Sequence, residues 1–116
     1  MREPNCLFCK IVAHEIPAAI ILEDERLVAF RDIGPQAPVH VLIVPRVHIA
    51  SLEESNEQHR ELLGSLLLAA RRIARDEGLS TDGYRTVINT GADGGQTVQH
   101  LHVHVLGGRA LGWPPG

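Results

Sequence analysis

Three histidines separated by single aliphatic residues, His100-Leu101-His102-Val103-His104, are the part of this chain best equipped for chemistry. Side chains alternate across a strand, so a spacing of two sends all three imidazoles to one face and the aliphatic residues to the other. At a rise of about 3.3 Å per residue, successive histidines stand about 7 Å apart, near enough to surround one phosphoryl group or to share a metal. Near neutral pH an imidazole can attack as the free base, donate a proton as the cation, or ligate a metal. The middle ring has the central position. His102 is therefore the candidate nucleophile: one ring nitrogen would displace a leaving group at phosphorus while the other is fixed by a hydrogen bond to the protein.

Two further clusters could serve such a centre. Gly94-Gly95-Gln96-Thr97 offers permissive backbone, amides and a hydroxyl, the parts of an anion-binding concavity, and Asn89 adds a donor just before it. Cys6 and Cys9 supply half of a tetrahedral zinc site at a familiar spacing, which imidazoles elsewhere would complete; two buried thiols are the alternative. His14 and His59 fall on predicted helices with no partner in the pattern, and no role is assigned to them.

The elements that must position these groups fit one domain over residues 1–116. With 44% hydrophobic and 22% charged residues the chain reads as an ordinary globular protein. A formal net charge of -3 gives no footprint for a polyanionic backbone, so polymeric nucleic acid is not an expected partner. No apolar run approaches the roughly 20 residues needed to cross a bilayer, and Met1-Arg2-Glu3-Pro4-Asn5 is polar with no cleavable apolar segment behind it. A cytoplasmic location without membrane association follows as the expectation, and a structural disulfide is disfavoured there.

Leu7, Phe8, Ile11 and Val12 repeat at helical spacing, predicting a short helix over residues 6 to 14 that ends before Ile16-Pro17. Ile20-Ile21-Leu22 and Leu27-Val28-Ala29-Phe30 predict a hairpin. The proline-bearing stretch 34–38 is a loop feeding the strand Val39 to Val44. Ser55 with Gln58 resembles a capping box opening a long helix. Its buried face would carry Leu62, Leu63, Leu66, Leu67, Ala70, Ile73 and Ala74, with Arg71, Arg72 and Arg75 solvated and Gly78 as the C-terminal cap. Two last strands, Tyr84 to Asn89 and Gln99 to Leu106, complete an α+β antiparallel sheet with one long and one short helix, both expected on one side of it. The tail 110–116, rich in Pro and Gly, carries the only tryptophan, Trp113, whose placement suggests an interaction.

On these residues the chain resembles the histidine-triad (HIT) family, and its Hint branch in particular. The resemblance runs through Ala29-Phe30-Arg31-Asp32-Ile33-Gly34-Pro35-Gln36-Ala37-Pro38-Val39-His40 to the closing Leu106-Gly107-Gly108-Arg109 and Trp113-Pro114-Pro115-Gly116. It implies a homodimer that continues the sheet across two subunits, and a hydrolase releasing a nucleoside 5'-monophosphate, usually a purine, from phosphoramidates or acyl-nucleotides. By motif position it implies that Leu7, Phe8, Ile11, Phe30 and Ile33 line the base slot and that Asp32 accepts the ribose hydroxyls. Asn89, Gly95, Thr97 and His104 would contact the α-phosphate along the loop that includes Gln96, with Thr97 standing where the branch often has serine. His40 would support the triad by hydrogen bonding, and Trp113 would reach the partner's site. For zinc the resemblance implies Cys6, Cys9, His48 and His100, a closed structural site; without metal, His100 becomes a hydrogen-bonding support. Leu101 and Val103 stand where the nucleotidyltransferase branch has proline. A passive nucleotide-binding module, a dinucleoside polyphosphate hydrolase and a metal-storage or catalytic metal site are the competing readings.

Overall fold

The computed structural model describes residues 3–116. The short helix is α1, Leu7–Val12, capped by Cys6, whose sulfur accepts from the Cys9 N–H. It stops earlier than the sequence predicts because His14 adopts a left-handed conformation, φ 60°, that ends the turn. Strands β1, Ile20–Glu23, and β2, Leu27–Arg31, form the expected hairpin, closed by Asp24, whose carboxylate accepts from the Arg26 and Leu27 N–H groups. Strand β3 is Val39–Pro45.

The long helix α2, Arg60–Asp76, begins later than Ser55 predicts. Ser55 instead closes a short 3-10 turn, donating its hydroxyl to the Leu52 carbonyl. The capping box belongs to Asn56, whose side chain accepts from Gln58 N–H while its own N–H donates to His59 Nδ1. His59 thus has a helix-capping duty. Gly78 ends α2 with φ 78°, as expected. Leu67 is half exposed, and Ala69 takes its place in the buried face. At about 100° per residue, Leu67 has already rotated past the stripe centred on Leu66.

Strands β4, Tyr84–Val87, and β5, Val103–Gly107, are both shorter than predicted. The sheet is antiparallel in the order β1-β2-β3-β5-β4. Its two faces are covered by different helices, which corrects the expectation that both pack on one side. Leu27, Ala29, Val41, Ile43, Val103 and Val105 meet the Leu66, Ala70 and Ile73 stripe of α2. The alternate residues Val28, Phe30, Leu42 and Val44 meet Phe8 and Ile11 of α1. Period-two alternation then decides the rest: His40 and His104 share the α1 face with Leu42. Among the described residues no helix is long and apolar enough to cross a membrane.

Candidate active site

A cavity of about 340 Å³ opens between α1, the end of β2 and the histidine row. Leu7, Phe8, Ile11, Phe30, Asp32, Ile33, Thr97, His102 and His104 line it, so the residues expected at base and ribose share one space with two of the phosphate set, while Asn89 and Gly95 are not among its lining. Ile16, Pro17, Ala18, Leu42 and Val98 line it as well and were not picked out from sequence. Leu42 was findable, since it lies two residues from His40 on the same strand face; Ile16-Pro17-Ala18 reads in sequence only as the end of a helix. Phe8 is the central wall. Its ring meets Phe30 edge-on at 5.5 Å between centroids and His102 at 5.1 Å.

Two of the triad rings, His100 and His102, are held by backbone carbonyls whose polarity fixes their tautomers, and the third, His104, is held by the His40 ring. His102 Nδ1 lies 2.7 Å from the His100 carbonyl. A carbonyl can only accept, so Nδ1 carries a proton and, in the neutral ring, the lone pair is on Nε2. His100 Nε2 donates to the Pro45 carbonyl at 2.9 Å, which frees its Nδ1. His40 is fixed by a donor instead of an acceptor: the Gln36 N–H donates to its Nδ1 at 3.0 Å, so Nε2 holds the proton. That proton is given to His104 Nδ1 at 2.9 Å, and His104 is left with an N–H at Nε2.

The antiparallel register creates this last contact. Leu42 pairs with His104 and His40 with Leu106, so the two histidines are diagonal neighbours across β3 and β5. Asp32 Oδ2 lies 3.5 Å from His40 Nε2, while its other oxygen accepts from the Gly34 N–H at 2.8 Å. Asp32, His40 and His104 thus cluster tightly. Because a proton already bridges the two imidazoles, the trio reads as a hydrogen-bonded relay rather than a set of metal ligands.

Burial is the main force that pushes His104 down to about 4, with the His102 and His40 rings adding to it and Asp32 opposing. His40 is lowered too, again chiefly by burial, against the pull of Asp32. Both rings are therefore neutral at physiological pH, as the tautomer chain requires.

On the other side of His102, Cys6, Cys9, His48 and His100 bring one ligand atom each within 4.8 Å of one another. His100 Nδ1 lies 3.3 Å from Cys6 Sγ, 3.6 Å from Cys9 Sγ and 3.2 Å from His48 Nδ1, and Cys9 Sγ lies 3.4 Å from His48 Nδ1. Zn–S bonds of about 2.3 Å and Zn–N bonds of about 2.0 Å in a tetrahedron give ligand separations of about 3.5 Å for sulfur to nitrogen and about 3.3 Å for nitrogen to nitrogen. The four donors fit a zinc ion. Their surroundings agree: the Glu3 N–H donates to Cys9 Sγ at 3.3 Å, and the Pro45 carbonyl orients His100 from behind. Burial drives His100 to about 4 and raises the Cys6 thiol.

The glycine loop needs one correction. Gln96 is buried and its side chain is consumed internally, accepting from the Gly91 N–H and donating to the Ala50 and Val98 carbonyls. Its own N–H is bonded to the Gly91 carbonyl. Gln96 therefore shapes the loop instead of offering a donor to a ligand. Asn89 donates to the Gly95 carbonyl at 3.3 Å across the loop mouth, and Gly95 has φ 80°. Thr97 is exposed beside the cavity. Trp113 stands outside it, 83% exposed.

A fold of this kind with this histidine row defines a class. Residues 13–111 match the model of the HIT domain family, and the chain belongs to the HIT family. Within it the chain is Hint-like. Adenylylsulfatase HINT1 of Arabidopsis thaliana is 47% identical over 112 residues, covering 95% of this chain and 76% of that protein. A 14 kDa zinc-binding protein of Zea mays is 53% identical, covering 95% of this chain and 87% of the relative. The crystal structure of a HIT family hydrolase from Legionella pneumophila Philadelphia 1 superposes with a TM-score of 0.95 at 54% identity, over 97% of this chain and 100% of that one.

Proposed function

We propose that this chain is a nucleotide hydrolase that transfers a nucleotidyl group to His102 and then to water, releasing a nucleoside 5'-monophosphate. The observation that carries the proposal is the bond from His102 Nδ1–H to the His100 carbonyl, which puts the lone pair of the neutral ring on Nε2, in a ring that lines the cavity together with both apolar and polar side chains. A purine would lie among Leu7, Phe8, Ile11, Phe30 and Ile33, with its ribose hydroxyls on Asp32. The phosphate would sit against Thr97, Gly95, Asn89 and His104.

In the first step the Nε2 lone pair forms a bond to phosphorus, the bond to the leaving group breaks, and its electron pair departs with that group, which takes a proton from water. His102 becomes an N-phosphorylated imidazolium whose Nδ1–H still bonds the His100 carbonyl. In the second step water attacks phosphorus, the P–Nε2 bond breaks, its pair returns to the ring, and the water proton leaves to solvent. His104 supports both steps with its Nε2–H on a phosphoryl oxygen. Amine and acyl leaving groups follow from the family resemblance; the adenylylsulfatase relative adds sulfate.

Cys6, Cys9, His48 and His100 would hold zinc as a closed four-ligand site, consistent with the zinc-binding relative. Such an ion supplies structural closure between α1, the segment after β3 and the triad. A homodimer belongs to the same proposal: β1 and β4 are open edges of the sheet, and exposed Trp113 is free to reach a second subunit.

The test is AMP release from adenosine 5'-phosphoramidate and from adenylyl sulfate. His102→Asn is expected to lose turnover by about a thousandfold or more while still binding AMP. Undiminished turnover in that variant overturns the proposal.

A further inference from the structure

No step of the proposed reaction uses Gly107-Gly108-Arg109, yet its packing is specific. A Cβ on Gly107 would come within 2.7 Å of the Leu79 side chain, and one on Gly108 within 2.8 Å of Pro38 Cβ. Gly108 also has φ 92°, a conformation that favours glycine. The end of β5 therefore lies flush against Leu79 and Pro38, and the chain delivers Arg109 directly to the loop before β3. There Arg109 Nη2 donates to the Gln36 carbonyl at 2.8 Å.

Gln36 is the residue whose N–H sets the tautomer of His40. A continuous path results: Arg109 holds Gln36, Gln36 N–H donates to His40 Nδ1, His40 Nε2–H donates to His104 Nδ1, and His104 retains its proton at Nε2. We propose that Arg109 is a positioning residue whose grip on Gln36 makes His104 a hydrogen-bond donor toward the substrate phosphoryl group. The inference rests on the nucleotidyl-transfer reading for what lies beyond His104.

The alternative arrangement explains why the grip matters. Gln36 is exposed, and if its N–H turns away, only the Asp32 carboxylate, 3.5 Å from Nε2, still favours the proton on that side of His40. With the proton on Nδ1 instead, His40 would offer a lone pair at Nε2, His104 would have to protonate at Nδ1, and its Nε2 would present a lone pair to an anionic oxygen. Loss of that backbone N–H thus lets in a share of the form that repels the phosphoryl group, against the opposing bias of Asp32. Gln36 is steadied from its own side as well, by its amide donating to the Gly34 carbonyl at 2.9 Å, so Arg109 is one of two braces.

The experiment compares wild type with Arg109→Ala and Arg109→Lys by long-range ¹⁵N–¹H correlation of the imidazoles, alongside steady-state kinetics on adenosine 5'-phosphoramidate. Wild type should show His40 and His104 protonated at Nε2. Arg109→Ala should shift both toward a tautomer mixture and lower kcat by about three- to tenfold with KM little changed, the scale of one hydrogen bond. Arg109→Lys, which keeps a donor, should recover part of both. Unchanged tautomers in Arg109→Ala overturn the inference whatever happens to kcat, since a merely structural arginine predicts that result. His102→Asn in the same assay separates the two ideas: turnover in that variant removes the reaction scheme, while the tautomer result at Arg109 is decided by its own spectra.

Discussion

His100 and His104 flank the same imidazole, but they are held by opposite means. His100 is completely buried, with a ring nitrogen among two sulfurs and a third imidazole and the other on a main-chain carbonyl. His104 is partly exposed and depends on His40, which in turn depends on a surface loop. The first side is a rigid anchor whose loss costs stability. The second is a polar chain whose loss, on the proposed reaction, is expected to cost rate. His102, the proposed nucleophile, stands between them, held by neither the His40 ring nor the sulfurs but by a main-chain carbonyl.

The sharpest way to break this contrast is at the anchor. His100→Ala removes a buried ring and leaves the Pro45 carbonyl unpaired, so we expect a loss of about 2–4 kcal/mol in chemical denaturation. Metal analysis should fall from about one zinc per chain in wild type to near zero. A variant as stable as wild type would mean that the cluster anchors nothing. A smaller effect is expected on the other side. His40→Ala leaves His104 Nδ1 without its donor and should lower kcat about tenfold, with little change in denaturation midpoint relative to His100→Ala. If the two variants lose stability equally, the division of labour is wrong.

The smallest effect concerns pH. The folded state holds His104 at about 4, below the ordinary 6.5, so between these values the unfolded chain binds more protons. The stability from keeping this ring neutral is complete above about pH 6.5 and is lost as pH falls toward 4. Thermal melting followed from pH 7 to 4.5 should decline by a few degrees, and His104→Gln should flatten part of that decline. A curve for His104→Gln that matches wild type would show that this ring does not contribute.

Much of this was legible in the amino-acid order because the informative signals are periodic. Alternation in 100–104 placed the histidines on one side, and the spacing of Leu62, Leu66, Ala70 and Ile73 marked the inner stripe of α2. Where periodicity failed, a local contact had taken over. The last strand begins at Val103 and not at Gln99 because its partner β3 ends at Pro45, which has no N–H for a ladder and gives its carbonyl to a His100 side chain. The helix start moved from Ser55 because Asn56 competes for the same capping task, and sequence does not rank two adequate caps. Gln96 looked like a ligand donor because an exposed loop and a loop folded onto its own glutamine have the same composition. The helices fell on opposite faces because β2 and β3 are apolar on both sides, so alternation there carries no preference for one face.

The tether of His102 has a consequence for how the site tolerates change. Its acceptor is a main-chain oxygen, present whatever residue occupies position 100. Substitution there would remove one of the four candidate zinc ligands, yet it cannot delete the atom that holds the proton on Nδ1. The tautomer of His102 is therefore written into the path of the backbone, and sequence drift at position 100 leaves that instruction intact.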